Sequence, residues 1–390
     1  MSQDIDERGE RYAKCHMKEW HWLTSLPGFG YKKLSVLKKS FSDIDELYEL
    51  EKNIGYDKAD ELLRQLFVSA GMTLGEKERD AFFDRELREK LNIEYEKLVL
   101  SDVNMVSIES EEYPERLRDI FDAPYILYYR GTLPRSDLRT AAVVGARACS
   151  EYGRSMAKDI GKQLAAYGVQ VVSGFARGID TASHNGSLSV EGGRTFAVFG
   201  CGINHCYPPE NRFTYDEIIE KGGGIISEYP PDTKPLSGFF PMRNRIISGL
   251  SDIVIVVEAG NKSGSLITAD HAAEQGRTVM ALPGRVTDRL SVGCNGLIKQ
   301  GAAMVSCMDD ILFELGMYEA QKHTSDINFS QIELAKPGKM LYSHLDFNPQ
   351  SIDDLIHKSG MEQEEVTGWL VRLELSGMAK RVGGLYVRGK

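Results

Sequence analysis

The stretch AAVVGARACSEYGRSMAKDIGKQLAAYGVQVVSG, Ala141 to Gly174, decides the fold class. Its two ends are short β-branched runs without clean polar alternation, the pattern of parallel strands buried on both faces. Between them Tyr152 to Tyr167 reads as a helix, with Ser150 placed to cap its start. The alternation continues downstream through RTFAVFG, GIISEYP, DIVIVVEAG, TVMALPG and AAMVS, and Ser265 to Gln275 reads as a further helix ended by Gly276. The expectation is an α/β fold built on a doubly wound parallel, Rossmann-like sheet.

Working outward, glycine usage marks this segment off from its flanks. Of 38 glycines, 6 lie in residues 1–110 and 25 in 111–329, and the cations shift from 11 Lys and 6 Arg to 7 Lys and 15 Arg. Arg forks bind phosphate bidentately where Lys acts as a point charge, so the middle segment is where anion chemistry is expected.

Residues 10–100 carry apolar side chains at three- and four-residue spacing, as in Leu34, Leu37 and Phe41 or Leu62, Leu63, Leu66 and Phe67, and predict a helical bundle. Inside it, Leu26-Pro27-Gly28-Phe29-Gly30 followed by Tyr31, Lys32 and Lys33 fits a helix-hairpin-helix turn, whose glycines let backbone N–H groups approach a phosphate. A plain helix connection with solvated lysines fits equally. After a helix at Asp309 to Tyr318 and a polar linker, three short helices and a hairpin turning at Gly383-Gly384 predict a winged helix. Its third helix carries Glu362, Glu364, Glu365 and Glu374 against Arg372 alone, which argues against reading a DNA groove. The predicted organisation is therefore an N-terminal helical domain (1–110, SAM-like or helix-hairpin-helix-like), a sheet domain (111–320), a linker (321–336) and a winged helix (337–390).

Composition excludes several classes. The longest apolar run, Ile253 to Val257, is far short of the ~20 residues of a spanning helix, and MSQDIDERGE lacks a basic-then-apolar signal segment. Six cysteines without CxxC spacing argue for a reducing compartment, and a cytoplasmic location without membrane contact is expected. Cys201, His205 and Cys206 offer three metal donors where a structural zinc takes four, so no metal or cofactor is expected. A net charge of −10 rules out a diffuse polycation, so any anion site must be local.

In an open parallel sheet, ligands bind beyond the carboxyl ends of the strands. Those ends here carry Gly145-Ala146-Arg147, then Ser173-Gly174-Phe175-Ala176-Arg177, then Lys234, then Phe240-Pro241-Met242-Arg243-Asn244-Arg245, then Lys262-Ser263-Gly264-Ser265. No GxGxxG or GxxxxGK[ST] is present, so neither phosphate fingerprint applies. The repeated pairing of glycine or serine with a cation on one sheet edge is what an extended polyanion would require, each phosphate meeting an amide and a cation. Phe239 and Phe240 beside Lys234 fit either base stacking or core burial. Asp180 and His184 share a helix face, but without a nucleophile they read as a helix cap and a packed imidazole.

The strings SGFARGIDTASH (173–184), YPPEN (207–211), FFPMRNRIISGLSD (239–252), SGSLITA (263–269), ALPG (281–284) and GCNGLI (293–298) closely resemble the DNA-processing protein A (DprA/Smf) family. YPERL (113–117) and APYILYYRG (123–131) resemble the strip that precedes the sheet in that family. The resemblance is dense over about 110–310. It implies a non-enzymatic single-stranded DNA-binding protein that protects incoming strands in natural transformation and loads the RecA recombinase, acting as a homodimer. Carried over by motif position, the DNA-binding residues are Gly145, Arg147, Ser173, Gly174, Arg177, Lys234, Phe240, Arg243, Asn244, Arg245, Gly264 and Ser265. Ala146 stands where the family often has Ser.

The rival is an enzyme, because the same type of sheet also resembles the nucleoside-monophosphate phosphoribohydrolases. Cleaving an N-glycosidic bond needs a carboxylate, and at the matching position this chain has Thr268. Asp270 and Glu274 lie two and six residues further along a helix, at about 200° and 600° of rotation, and cannot substitute.

Overall fold

The computed structural model describes residues 12–317 and 336–389. The predicted linker at 321–336 lies outside the described residues, apart from Lys336 at the start of a helix, and so does Tyr318. The chain divides into two compact units, the first running to Ala148 and again from Met156 to Leu315, the second holding Cys149–Ser155 and the C-terminal residues from Gly316.

The first unit is built on a nine-stranded sheet. Its strands are β1 (Asn104–Ser107), β2 (Ile126–Gly131), β3 (Thr140–Val144), β4 (Gln170–Ser173), β5 (Thr195–Val198), β6 (Gly224–Ser227), β7 (Ile253–Val256), β8 (Thr278–Ala281) and β9 (Ala303–Met304). The spatial order is β1-β2-β6-β5-β4-β3-β7-β8-β9. From β6 to β9 all neighbours are parallel, and from β6 to β7 the strands are buried and built mostly of Val, Ile and Ala, as the unalternating runs predict. Two antiparallel strands extend the sheet at the β6 side. The strip at 123–131 thus supplies a strand itself, and β1 comes from before residue 110.

That edge explains how the helical region attaches. Helix α1 (Met17–Ser25) contributes Trp20, stacked on Tyr125 at 4.8 Å, and His21, whose Nδ1 lies 2.6 Å from the Tyr128 hydroxyl. The Met105 amide donates to the Tyr12 hydroxyl at 2.9 Å, so helices and edge strands share one apolar core. Leu26 to Gly30 forms the expected hairpin into α2 (Tyr31–Ser40), with Gly28 at φ 82°. Its lysines are not all solvated: Lys33 is ion-paired with Glu78 and Lys38 with Glu109.

Helices alternate with the strands: α3 (Glu151–Ala166), α4 (Ile179–Leu188), α5 (Arg212–Glu220), α6 (Phe239–Gly249), α7 (Gly264–Glu274) and α8 (Val292–Lys299). The helix predicted at Asp309 to Tyr318 is Met308–Glu314. Chain order runs outward from β3 through β4, β5 and β6 on one side, and through β7, β8 and β9 on the other. The reversal falls between β3 and β7, where Val144 is aligned with Val256. That pair is the topological switch point of the sheet.

The C-terminal unit is a winged helix. Helices α9 (Lys336–His344), α10 (Ile352–Ser359) and α11 (Gln363–Leu375) precede the hairpin of β10 (Ala379–Val382) and β11 (Leu385–Arg388), and Gly383 and Gly384 turn it with positive φ. Its own core gathers Leu341, Leu345, Leu355, Val366, Leu370 and Leu373. No helix of the described residues is long and apolar enough to cross a membrane.

Candidate functional site

At the switch point lies a cleft of about 740 Å³, lined by the segments that follow β3 and β7 and by α6. The turn after β3 forces the backbone close: a Cβ on Gly145 would sit 2.6 Å from Ile179 Cγ1 and 2.9 Å from the Glu258 carbonyl oxygen. The Ala146 amide donates to that carbonyl at 2.8 Å, which fixes the turn and presents Arg147 outward. Arg147 is exposed, and its guanidinium lies 5.5 Å from the centre of the Phe240 ring. Among the described residues no carboxylate forms an ion pair with it.

The opposite wall starts at α7. No side chain caps this helix at Ser263, so the first-turn N–H groups of Gly264 and Ser265 belong to the cleft wall at the positive end of the helix dipole. Ser263 Oγ and Ser265 Oγ are 2.8 Å apart, and Asn244 Nδ2 donates to the Gly264 carbonyl at 3.1 Å, tying α6 to α7. Lys262 lines the same wall and is exposed.

Arg243 forms the floor. It is only 4% exposed, and its Nη1 donates to the carbonyls of Gly174, at 2.8 Å, and Val198. Burial pushes its guanidinium down to about 10, against the attraction of Asp180, so it stays cationic at neutral pH. Burial likewise pushes the Asp180 carboxyl up to about 6, opposed by Arg243 and by the Gly174 and Ala176 amides that donate to Oδ2 at 3.1 and 3.3 Å. Asp180 therefore fastens the loop after β4 rather than capping α4. His184 is a packed imidazole, its Nδ1 2.6 Å from Thr195 Oγ1, and burial pushes it down to about 3.

The structure brings together Gly145, Arg147, Phe240, Arg243, Asn244, Gly264 and Ser265 from the predicted set. It places the other five elsewhere. Arg245 is 3% exposed and outside the cleft, with Nη2 2.7 Å and Nη1 3.0 Å from the Glu228 carboxylate and Nε 3.0 Å from Asp122 Oδ2. The reason is helical geometry: two residues along α6 is about 200° of rotation, so Arg243 and Arg245 cannot face one cleft. Ser173 is buried, its hydroxyl spent on the Val143 carbonyl at 2.6 Å. Gly174 gives room, since a Cβ there would lie 2.7 Å from Asp180 Oδ2 and 2.8 Å from Arg243 Nη2. Arg177 is exposed outside the lining and paired with Glu210, and Lys234 is exposed on a loop whose Pro235 and Ser237 reach the cleft.

The two phenylalanines separate for the same geometric reason. Phe239 stacks on Tyr229 at 4.2 Å, whereas Phe240 faces the cleft beside Tyr207, with ring centres 5.6 Å apart. Tyr207, Lys262 and Asp180 are cleft residues absent from the predicted set. Each lay in a quoted motif, but nothing in the sequence aims them inward. Thr268, where the rival enzyme needs a carboxylate, is buried in the cleft lining.

Residues 104–316 match the family described as DNA recombination-mediator protein A, and residues 329–384 match the DprA winged helix domain. The chain is 38% identical over 324 residues to protein Smf of Escherichia coli (strain K12), which covers 82% of this chain and 85% of the relative. It is 45% identical over 208 residues to DNA processing protein DprA of Streptococcus pneumoniae, covering 53% of this chain and 73% of the relative. The X-ray structure of DNA processing protein A from Streptococcus pneumoniae superposes with a TM-score of 0.57 at 37% identity, covering 72% of this chain and 96% of that chain.

Proposed function

This chain belongs to the DNA recombination-mediator protein A (DprA/Smf) family, and we propose that its strand-end cleft binds single-stranded DNA through the phosphate backbone. The observation that carries the reading is the convergence of the exposed Arg147 and Lys262, the uncapped start of α7 and the face of Phe240 in one cleft. Cations and amides serve phosphates, while the half-buried ring of Phe240 serves any base, so the binding is indifferent to sequence. Duplex DNA stacks its bases inside and offers no base to Phe240, which favours a single strand.

The protein works by binding and not by turnover. Asp180, the one carboxyl group lining the cleft among the described residues, is already engaged by two amides and by Arg243, and Thr268 stands at the position where a glycosidic hydrolase keeps its acid. The role follows as protection of incoming single strands in natural transformation and their transfer to the RecA recombinase. A homodimer would repeat the cleft, and two linked weak sites raise avidity without new contacts.

The test titrates single- and double-stranded oligonucleotides at two salt concentrations and assays nucleoside-monophosphate hydrolysis in the same preparation. Salt-dependent preference for the single strand without hydrolysis is expected. Hydrolysis without strand binding would replace this reading by the enzymatic one.

A further inference from the structure

Beyond the cleft, the chain turns through Pro209–Asn211 into α5, and this turn is held from below. Asn211 is buried, its Nδ2 donating to the Phe175 carbonyl at 3.1 Å and to Thr181 Oγ1 at 2.7 Å, and Thr214 Oγ1 donates to Asn185 Oδ1 at 3.1 Å. Tyr215 and Ile218 are buried beneath the same helix. Between these anchors Phe213 stands 79% exposed. A lone exposed apolar residue needs no explanation, but this one is rigidly presented and flanked by guanidinium groups. Arg212 precedes it, its side chain 63% exposed and paired with Asp216 at 3.0 Å, and Arg177, equally exposed, is paired with Glu210 at the start of the turn. Tyr207, 43% exposed, begins the same segment beside Phe240, so the chain that leaves the cleft at Tyr207 carries exposed Arg212 and Phe213 within six residues.

We propose that the strand held in the cleft continues over Tyr207 onto α5, where Phe213, with Arg177 and Arg212, forms a second stacking station for its bases. The inference rests on the cleft binding single-stranded DNA. It gives Arg177 a role outside the cleft: its partner Glu210 is exposed, and a surface ion pair of this kind is weak enough for a phosphate to displace the carboxylate. The ring needs no particular base, because every base has a π face.

The test is fluorescence anisotropy on the full chain with oligo-dT of about 6 and about 20 nucleotides, one near the short end of the site sizes of single-strand binders, about 4 to 16 nucleotides, and one beyond them. Phe213→Ala should weaken binding of the longer oligonucleotide by about fivefold or more, one stacked base's worth, and leave the shorter one unchanged. Phe213→Trp should keep the longer affinity and show indole emission quenched by the strand. Arg147→Ala should weaken both lengths. If Phe213→Ala binds the longer strand as tightly as the native chain while Arg147→Ala does not, the cleft stands and the second station is overturned. An altered sedimentation coefficient in Phe213→Ala with unchanged DNA affinity assigns the ring to a second copy of the chain and overturns it too. If the native chain binds neither length, the cleft reading and the station fall together.

Discussion

Two arginines from the same predicted set should behave oppositely, and their contrast tests the geometry of the cleft. Arg147→Ala removes an exposed guanidinium that forms no ion pair among the described residues, so folding should change by no more than about 0.5 kcal/mol. Binding should lose one charge-assisted contact, roughly tenfold in affinity, and the slope of log K against log salt should become shallower by about 0.7. Arg245→Ala removes a side chain that is 3% exposed and leaves Glu228 and Asp122 facing each other without their cation. Breaking a buried pair costs about 3 to 5 kcal/mol. The carboxylate side chains are 17% and 30% exposed, so water reaches them and the low end applies. At about 2 °C per kcal/mol for a large unit, Tm should fall by roughly 6 °C, while the salt slope of the folded fraction stays native. Thermal melts and anisotropy titrations at four salt concentrations measure both variants. An Arg245→Ala protein with native Tm and a flattened slope would refute the placement of Arg245 in the interior.

Other perturbations follow from the same contacts. Gly174→Ala should destabilise the fold by about 1 to 3 kcal/mol, because the new Cβ meets the buried Asp180 and Arg243, and chemical denaturation that returns the native midpoint would contradict the close packing of the floor. Lys262→Ala should flatten the salt slope as Arg147→Ala does, and the double variant should flatten it twice as far if both touch phosphate. Acid should destabilise the protein: burial pushes His21 down to about 4 and His184 down to about 3, so as pH falls below about 6.5 the unfolded chain takes up protons that the folded chain refuses. Asp180, pushed up to about 6, acts with the opposite sign over about pH 4 to 6, holding a proton that the unfolded chain has released. Denaturant midpoints should thus decline as pH falls from about 6.5 toward 4, less steeply in His184→Gln, and a pH-independent midpoint would contradict the burial of both imidazoles.

Much of this architecture was legible in the sequence because parallel strands buried on both faces need unbroken apolar runs, and β3 to β8 have them. The antiparallel edge was less legible, because the pairing of β1 with β2 is covered by contacts about 100 residues apart in sequence: Trp20 of α1 on Tyr125, and His21 of α1 on the β2 residue Tyr128. In the cleft, residues fixed by a turn were readable, since Gly145 to Arg147 and Gly264 to Ser265 follow strands at the switch point. The failures came from side-chain direction. Arg245 and Ser173 lie in the right segments but turn toward partners, Glu228 and the Val143 carbonyl, that are 17 and 30 residues distant in sequence. The 100° step between neighbours on α6 separates Phe239 from Phe240, but only the position of Tyr229 shows which of the two stacks away from the cleft.

The central claim, that a single strand lies in the switch-point cleft with a base against Phe240, is tested most directly by photo-crosslinking. Oligonucleotides carrying 5-iodouracil would be irradiated in complex with the full chain, and the adducts mapped by peptide mass. Adducts on Tyr207 or Phe240 are predicted, and their loss with Arg147→Ala. Adducts confined to the winged helix or to the N-terminal hairpin would contradict the account.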